Sequence, residues 1–220
     1  MSASGERPAV VVLISGEGTN LQALIDAARD GRLPARIAAA ISDRRDARGL
    51  ERARRAGIEA IHLGRSRFSD RDAYDAALAD AIDAFSPSVV VLAGFMRVLG
   101  SGFVQRFEGR MLNIHPALLP RHRGLDTHRR VLEAGDREHG ATVHFVTEEL
   151  DAGPRVIQYR LPVRPGETLE TLVERVHRGE HIILPRAAGW LASGRLRLVG
   201  GEAELDGKRL VKPVVVEEKP

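Results

Sequence analysis

Ala9-Val10-Val11-Val12-Leu13-Ile14 runs straight into Ser15-Gly16-Glu17-Gly18-Thr19-Asn20, after which Leu21, Leu24, Ile25 and Ala28 recur at helical spacing until Gly31 and Pro34. A short, continuous apolar run rich in β-branched residues predicts a strand buried on both faces, and so a parallel sheet. The whole stretch predicts strand, glycine loop, helix. The cycle repeats with a strand near 36 to 42, a helix near 46 to 56 ended by Gly57, a strand near 58 to 62, a helix near 70 to 85 and a buried strand from Ser88 to Leu92. This alternation predicts an α/β fold with a doubly wound, mostly parallel sheet and right-handed crossovers. The pattern then changes to a strand at about 111 to 114, a helix near 126 to 134 and alternating strands near 139 to 147 and 155 to 163. An antiparallel extension is expected in this C-terminal half. Glu167 to Leu191 reads as a long helix, Gly194, Gly200, Gly201 and Gly207 break a short β-rich tail, and Val216 to Pro220 are expected to fray.

At 220 residues the chain suits one substantial α/β domain and is short for two. No apolar run approaches the ~20 residues needed to span a bilayer, and the amino terminus has no basic segment followed by a secretory apolar stretch. The absence of cysteine excludes disulfides and thiolate metal sites and fits a cytoplasmic protein. Net charge is +3 although the sequence pI is 9.8, because the basic residues are almost all Arg; the three lysines, Lys208, Lys212 and Lys219, lie in the tail. The arginines alternate with carboxylates, as in Ser42-Asp43-Arg44-Arg45-Asp46 and Asp70-Arg71-Asp72, which reads as a solvated mixed surface and not a nucleic-acid stripe. An aromatic content of 4% also argues against a base-stacking platform. Anionic small molecules remain suitable ligands.

Three segments carry chemistry. The loop Ser15 to Asn20 lies between a strand and a helix, where free backbone N–H groups and the positive helix end favour a phosphate. It lacks the Gly-Lys-Ser/Thr of a Walker A motif and the third glycine of a dinucleotide motif, so a mononucleotide or sugar phosphate fits it better. A tight turn capped by Thr19 or Asn20 is the plain structural alternative. Ala93-Gly94-Phe95-Met96-Arg97-Val98-Leu99 follows a buried strand at the carboxyl edge where open α/β sheets bind ligands. Phe95 and Val98 read as core, while Met96, Arg97 and Leu99 suit a flat heteroaromatic ligand with acid groups. In Met111-Leu112-Asn113-Ile114-His115-Pro116, Asn113 and His115 project to one face of an extended chain while Ile114 turns inward. Glu148-Glu149-Leu150-Asp151-Ala152-Gly153-Pro154 offers a carboxylate in a turn. Asn, His and Asp together suggest acyl or one-carbon transfer; a bare His-Pro turn is the alternative. His139 and His144 flank a strand and read as structural, His122 reads as a solvated loop residue, and no spacing suggests a metal site.

With these motifs assembled, the sequence resembles the phosphoribosylglycinamide formyltransferases, the purine-pathway enzymes that use 10-formyltetrahydrofolate. The likeness rests on Ile14-Ser15-Gly16-Glu17-Gly18-Thr19-Asn20-Leu21-Gln22, Val91 to Arg97, Leu112 to Pro116 with Leu118-Leu119-Pro120, His139-Gly140-Ala141-Thr142-Val143-His144 and Asp151 to Pro154. It implies a single Rossmann-like formyltransferase domain over 1–220, with a phosphate-binding half at about 8–110, a folate-binding and catalytic half at about 111–200, and a tail at 201–220. Gly18, Thr19 and Asn20 would bind the ribonucleotide phosphate, helped by Arg71 and, toward the sugar, by Glu180. Met96, Arg97, Val98, Leu99, Asn113, Val146, Glu148 and Leu150 would hold the folate. Asn113, His115 and Asp151 would be catalytic, Asp151 favouring the imidazolium form of His115 and ordering a water. The implied co-substrate is 10-formyltetrahydrofolate with no metal. The implied partners are small-molecule substrates, with no nucleic acid and no membrane, for a cytoplasmic monomer or homodimer. Asp126 stands where the family usually has His, His122 where an aromatic residue is commoner, and Leu184 where Tyr is usual. A methionyl-tRNA formyltransferase or a formyltetrahydrofolate hydrolase would be expected to carry an additional domain, and a nucleotide-binding regulatory module would have no need of the trio.

Overall fold

A computed structural model describes residues 7–218. The stretch Met1 to Glu6 read for a leader, and Lys219 and Pro220 of the expected frayed end, lie outside them. The first half alternates as expected: β1 (Ala9–Ile14), α1 (Thr19–Arg29), β2 (Arg36–Ser42), α2 (Arg48–Arg55), β3 (Glu59–His62), α3 (Arg71–Asp83) and β4 (Val89–Leu92). Then come α4 (Ser101–Arg106), β5 (Met111–His115), α5 (Thr127–Glu133), β6 (Glu138–Phe145), β7 (Arg155–Pro162) and α6 (Leu169–Ala192). The tail forms β8 (Leu196–Val199), β9 (Glu202–Leu205), β10 (Lys208–Arg209) and β11 (Val214–Glu217). The sequence pattern missed α4, whose six residues are too few to show a helical period.

Eight strands form one sheet in the order β11-β7-β6-β5-β4-β1-β2-β3, and β8 to β10 form a separate three-stranded sheet. Pairing is parallel from β3 through β5 and antiparallel for β5–β6 and β6–β7, so the antiparallel extension is where the pattern placed it. Each strand divides its side chains between two cores by the pleat. Val10, Val12 and Ile14 pack with α1, α2, α5 and α6, whereas Val11 and Leu13 pack with α3 and α4. Because the chain returns from β3 to set β4 on the other side of β1, the sheet has its switch point between β1 and β4. Ligands of doubly wound sheets lie outside the strand ends at that point.

The expected fraying is corrected for Val216 to Glu218. Val214–Glu217 pairs in parallel with β7, and Glu218 is gripped by Arg175 of α6, which also bonds Glu167 at 2.6 Å and the Pro162 carbonyl at 2.9 Å. A run of valines finds an open sheet edge, and a buried cation fixes the residue after it. Among the described residues no helix is long and apolar enough to cross a membrane.

Candidate active site

β5 sets two of the three expected side chains. Leu112 and Ile114 belong to the core beneath α6, so Asn113 and His115 emerge on the other face of the sheet. β6 runs antiparallel beside β5 and pairs His144 directly with Asn113. The turn between β6 and β7 then carries Asp151 over the same face. Asn113 Nδ2 lies 3.1 Å from His144 Nε2 and 3.5 Å from Asp151 Oδ1, and His115 Nδ1 lies 3.4 Å from Asp151 Oδ2. Sequence reasoning missed His144, which it set aside as structural. Its Nδ1 meets the Phe145 carbonyl at 2.8 Å, leaving Nε2 to accept from Asn113 and to approach Asp151 at 3.6 Å. Only the β5–β6 register could have revealed it.

The loop after β5 supplies two backbone partners that no residue type announces. His122 O lies 2.9 Å from His115 Nε2, and Gly124 N–H donates to Asp151 Oδ2 at 2.9 Å. His122, Gly124 and Asp126 all take positive φ here, as does Asp151, so the loop is wound into conformations that most residues avoid. The reading of His122 as a solvated residue is corrected: its ring is largely buried and meets Asp136 at 2.7 Å. Asp126 is exposed at the start of α5 and makes no capping bond, so its charge is spent in solvent.

Burial opposes the charge on both ionisable members of the trio, with different outcomes. For Asp151 the adjacent His144 ring, the Gly124 N–H bond and the His115 ring together outweigh burial, and the carboxyl sits below its usual range. For His115 burial prevails over the His122 carbonyl and Asp151, and its pKa is lowered. Asp151 favours the imidazolium form of His115 as expected, but burial of the ring, which the sequence cannot weigh, outweighs that support.

At the glycine loop, Gly18 is the N-cap of α1 in left-handed conformation, without a side-chain cap. Thr19 and Asn20 lie inside the helix, so the capping alternative fails for both. The first-turn N–H groups are left for an anion. Asn20 is buried and donates to Glu180 Oε2 at 2.8 Å, while its own Oδ1 has no hydrogen-bond partner. Burial pushes the Glu180 carboxyl up to about 7. Gly179, next to it, lets α6 rest on the Tyr159 ring, which a Cβ there would meet at 2.0 Å. A hollow of about 420 Å³ beside Thr19 is lined by Gln22, Asp26, Arg32, Arg52 and His181. Arg71 opens α3 on the opposite helical layer, against Gly100, so the structure places it beside the residue after Leu99.

The segment after β4 presents Met96 and Val98, each more than half exposed, and the Asp151 turn presents Leu150 in the same way. Val98 is thus surface and not core, whereas Phe95 is core as expected and Leu99 is also buried. Arg97 is held by Asp43, Val146 N–H donates to the Met111 carbonyl, and Glu148 accepts from Gln105 at 3.0 Å. A second hollow of about 400 Å³ lies between Thr147, Ala152 to Arg155 and the small sheet. Neither hollow is lined by Asn113, His115 or Asp151. Among the described residues no group of three or more His, Asp or Glu side chains is placed to hold a metal.

A doubly wound sheet with an amide, an imidazole and a carboxylate converging near its switch point, in a row with an apolar ledge after β4 and an anion-receptive loop after β1, defines a group transferase acting on small molecules. The chain belongs to the formyl transferase family, which it matches over residues 9–188. It is 51% identical over 201 residues to phosphoribosylglycinamide formyltransferase of Escherichia coli (strain K12), covering 91% of this chain and 95% of that one. The Haemophilus influenzae enzyme of the same description is 47% identical, with 92% and 96% covered. A solved structure of phosphoribosylglycinamide formyltransferase from Coxiella burnetii, in complex with CHES, superposes with a TM-score of 0.92 at 49% identity, over 96% of this chain and 99% of that one.

Proposed function

We propose that this protein transfers the formyl group of 10-formyltetrahydrofolate to the amine of 5'-phosphoribosylglycinamide, giving formylglycinamide ribonucleotide and tetrahydrofolate in purine biosynthesis. The observation that carries this reading is the convergence of Asn113, His115 and Asp151 at the end of β5, next to the apolar ledge after β4 and one strand further from the uncapped glycine loop after β1, in a chain of the formyl transferase family. The substrate amine attacks the formyl carbon, its proton passes to the folate nitrogen, and the carbon–nitrogen bond to the folate breaks as the carbonyl re-forms.

Asn113 donates an amide N–H to the formyl oxygen as it turns negative, giving up its long 3.5 Å bond to Asp151, and His115 gives a second donor when Nε2 exchanges the His122 carbonyl for that oxygen; such donors contribute about 3 to 4 kcal/mol each. His115 starts neutral because it is buried. It gains a proton as negative charge gathers beside it, since an anion on one side and Asp151 on the other supply the coulombic support that burial withholds. Asp151, ionised at neutral pH, orders the water that relays the amine proton. Gly18, Thr19 and Asn20 bind the phosphate and Glu180 the sugar. Met96, Arg97, Val98, Leu99, Val146, Glu148 and Leu150 hold the folate. The position of Arg71 beside Gly100 supports a role on the folate side.

Residues 1–220 act as one domain with a tail at 201–220, although the assigned residues cross the division near 110: Met96 to Leu99 precede it and Glu180 follows it. The protein works as a monomer or homodimer in the cytoplasm. Absorbance assays of folate product with and without glycinamide ribonucleotide test the activity. Product only in its presence is expected, product without it indicates hydrolysis of the formyl donor, and no product in either case rejects the reading.

A further inference from the structure

Asp43 stands just past the end of β2, across β1 from β4, and its side chain is only 4% exposed. One carboxylate oxygen accepts from Ser15 Oγ at 2.6 Å and the other from Arg97 Nε at 2.8 Å. Ser15 Oγ in turn accepts the Met96 N–H at 2.9 Å, and Ser15 N–H donates to the Gly94 carbonyl at 3.1 Å. The Arg97 guanidinium also lies 5.7 Å from the centre of the Tyr74 ring. One buried carboxylate therefore ties together the ends of three neighbouring strands, reaching the segment after β4 directly at Arg97 and through Ser15 at Met96.

An arginine on a loop must lose rotamer entropy before it can present its donors. Asp43 removes that freedom by gripping Nε, which leaves the Nη edge facing a partly open surface, with the side chain 38% exposed. Through Ser15 it also fixes the main chain at Met96. The glycine loop has other anchors, since Gly49 N–H bonds the Gly16 carbonyl at 3.0 Å and Arg52 Nε bonds the Glu17 carbonyl at 2.8 Å. We infer that Asp43 is a positioning residue for the formyl donor, acting through Arg97 and Ser15 to hold the Met96–Leu99 ledge in its binding geometry. The inference rests on the assignment of Arg97 to the folate.

The test is steady-state kinetics with both substrates varied, for wild type, Asp43→Ala, Asp43→Asn, Arg97→Ala and the Asp43→Ala/Arg97→Ala double variant. Asp43→Ala is expected to raise the KM for 10-formyltetrahydrofolate about tenfold, the scale of one charge-assisted hydrogen bond. The KM for the ribonucleotide should change less than about twofold, and in the Arg97→Ala background the loss of Asp43 should add less than about twofold to the folate KM. Asp43→Asn keeps an acceptor for Ser15 and loses the charge facing Arg97, so its folate KM should fall between. If Asp43→Ala does not fold, Asp43→Asn carries the same comparison. Equal rises in both KM values, or an undiminished effect when Arg97 is already Ala, overturn the positioning role. An Arg97→Ala variant with an unchanged folate KM overturns the folate assignment itself, which is a separate failure.

Discussion

Gly18→Ala probes the glycine loop most sharply, because two independent costs can be read from its geometry. At φ +71° an L-residue costs about 1 to 2 kcal/mol. The added Cβ would lie 2.5 Å from Gly49 Cα, against about 3.5 to 4 Å for a relaxed carbon contact. The atom met is backbone, at the start of α2, so relief requires the main chain to shift. The loop must lift by about 1 Å, straining the Gly49 N–H bond to Gly16, at a further cost of about 2 kcal/mol by analogy with overpacked cores. The sum is about 4 kcal/mol, or a fall in Tm of about 10 °C for a chain of this size. Gly31→Ala is the control, with the same backbone sign at φ +76° and nothing within 4 Å of its Cβ. It should lose only the backbone cost of about 1 to 2 kcal/mol, or about 3 to 6 °C. Thermal unfolding of both variants, with the KM for the ribonucleotide, measures the difference. Equal losses at Gly18 and Gly31 would refute the close approach to Gly49, and an unchanged KM in Gly18→Ala would refute the use of the loop as a phosphate cradle.

Asp151→Asn and His115→Ala should each lower kcat by about 10²- to 10⁴-fold with the fold retained by circular dichroism; near-normal turnover removes that residue from the mechanism. Burial pushes the His128 pKa down to about 4 and that of His139 to about 3. Native His139 therefore refuses the proton that the unfolded chain takes up below its ordinary 6.5, so its contribution is full above that pH and lost as pH falls toward 3. Urea unfolding at pH 7 and pH 5 should show wild type losing about 2 kcal/mol more than His139→Gln on acidification, and equal losses would contradict the burial argument. Arg175→Ala strands the buried Glu167 and frees Glu218, and urea midpoints should register about 3 to 5 kcal/mol of lost stability; a loss below about 1 kcal/mol would mean the clasp on β11 gives no net support.

The sequence by itself determined the alternation of strands and helices, the antiparallel turn after β5, and the projection of Asn113 and His115 from one face. Those features are written in the spacing of apolar residues along a few turns of chain, because burial of one face imposes its period locally. It also marked the glycine loop, since strand, glycines and helix lie adjacent in the chain. Only the tertiary structure decided the rest. His144 reaches Asn113 through the β5–β6 register, a left-handed loop gives a carbonyl to His115 and an N–H to Asp151, and Asp43 grips Arg97 across β1. Val214–Glu217 becomes a strand only because β7 leaves an edge open and Arg175 holds Glu218. His115 lies below its ordinary pKa because burial outweighs its neighbours. Each of these is a sum over residues distant in sequence, where desolvation and pairing depend on what the rest of the chain places alongside.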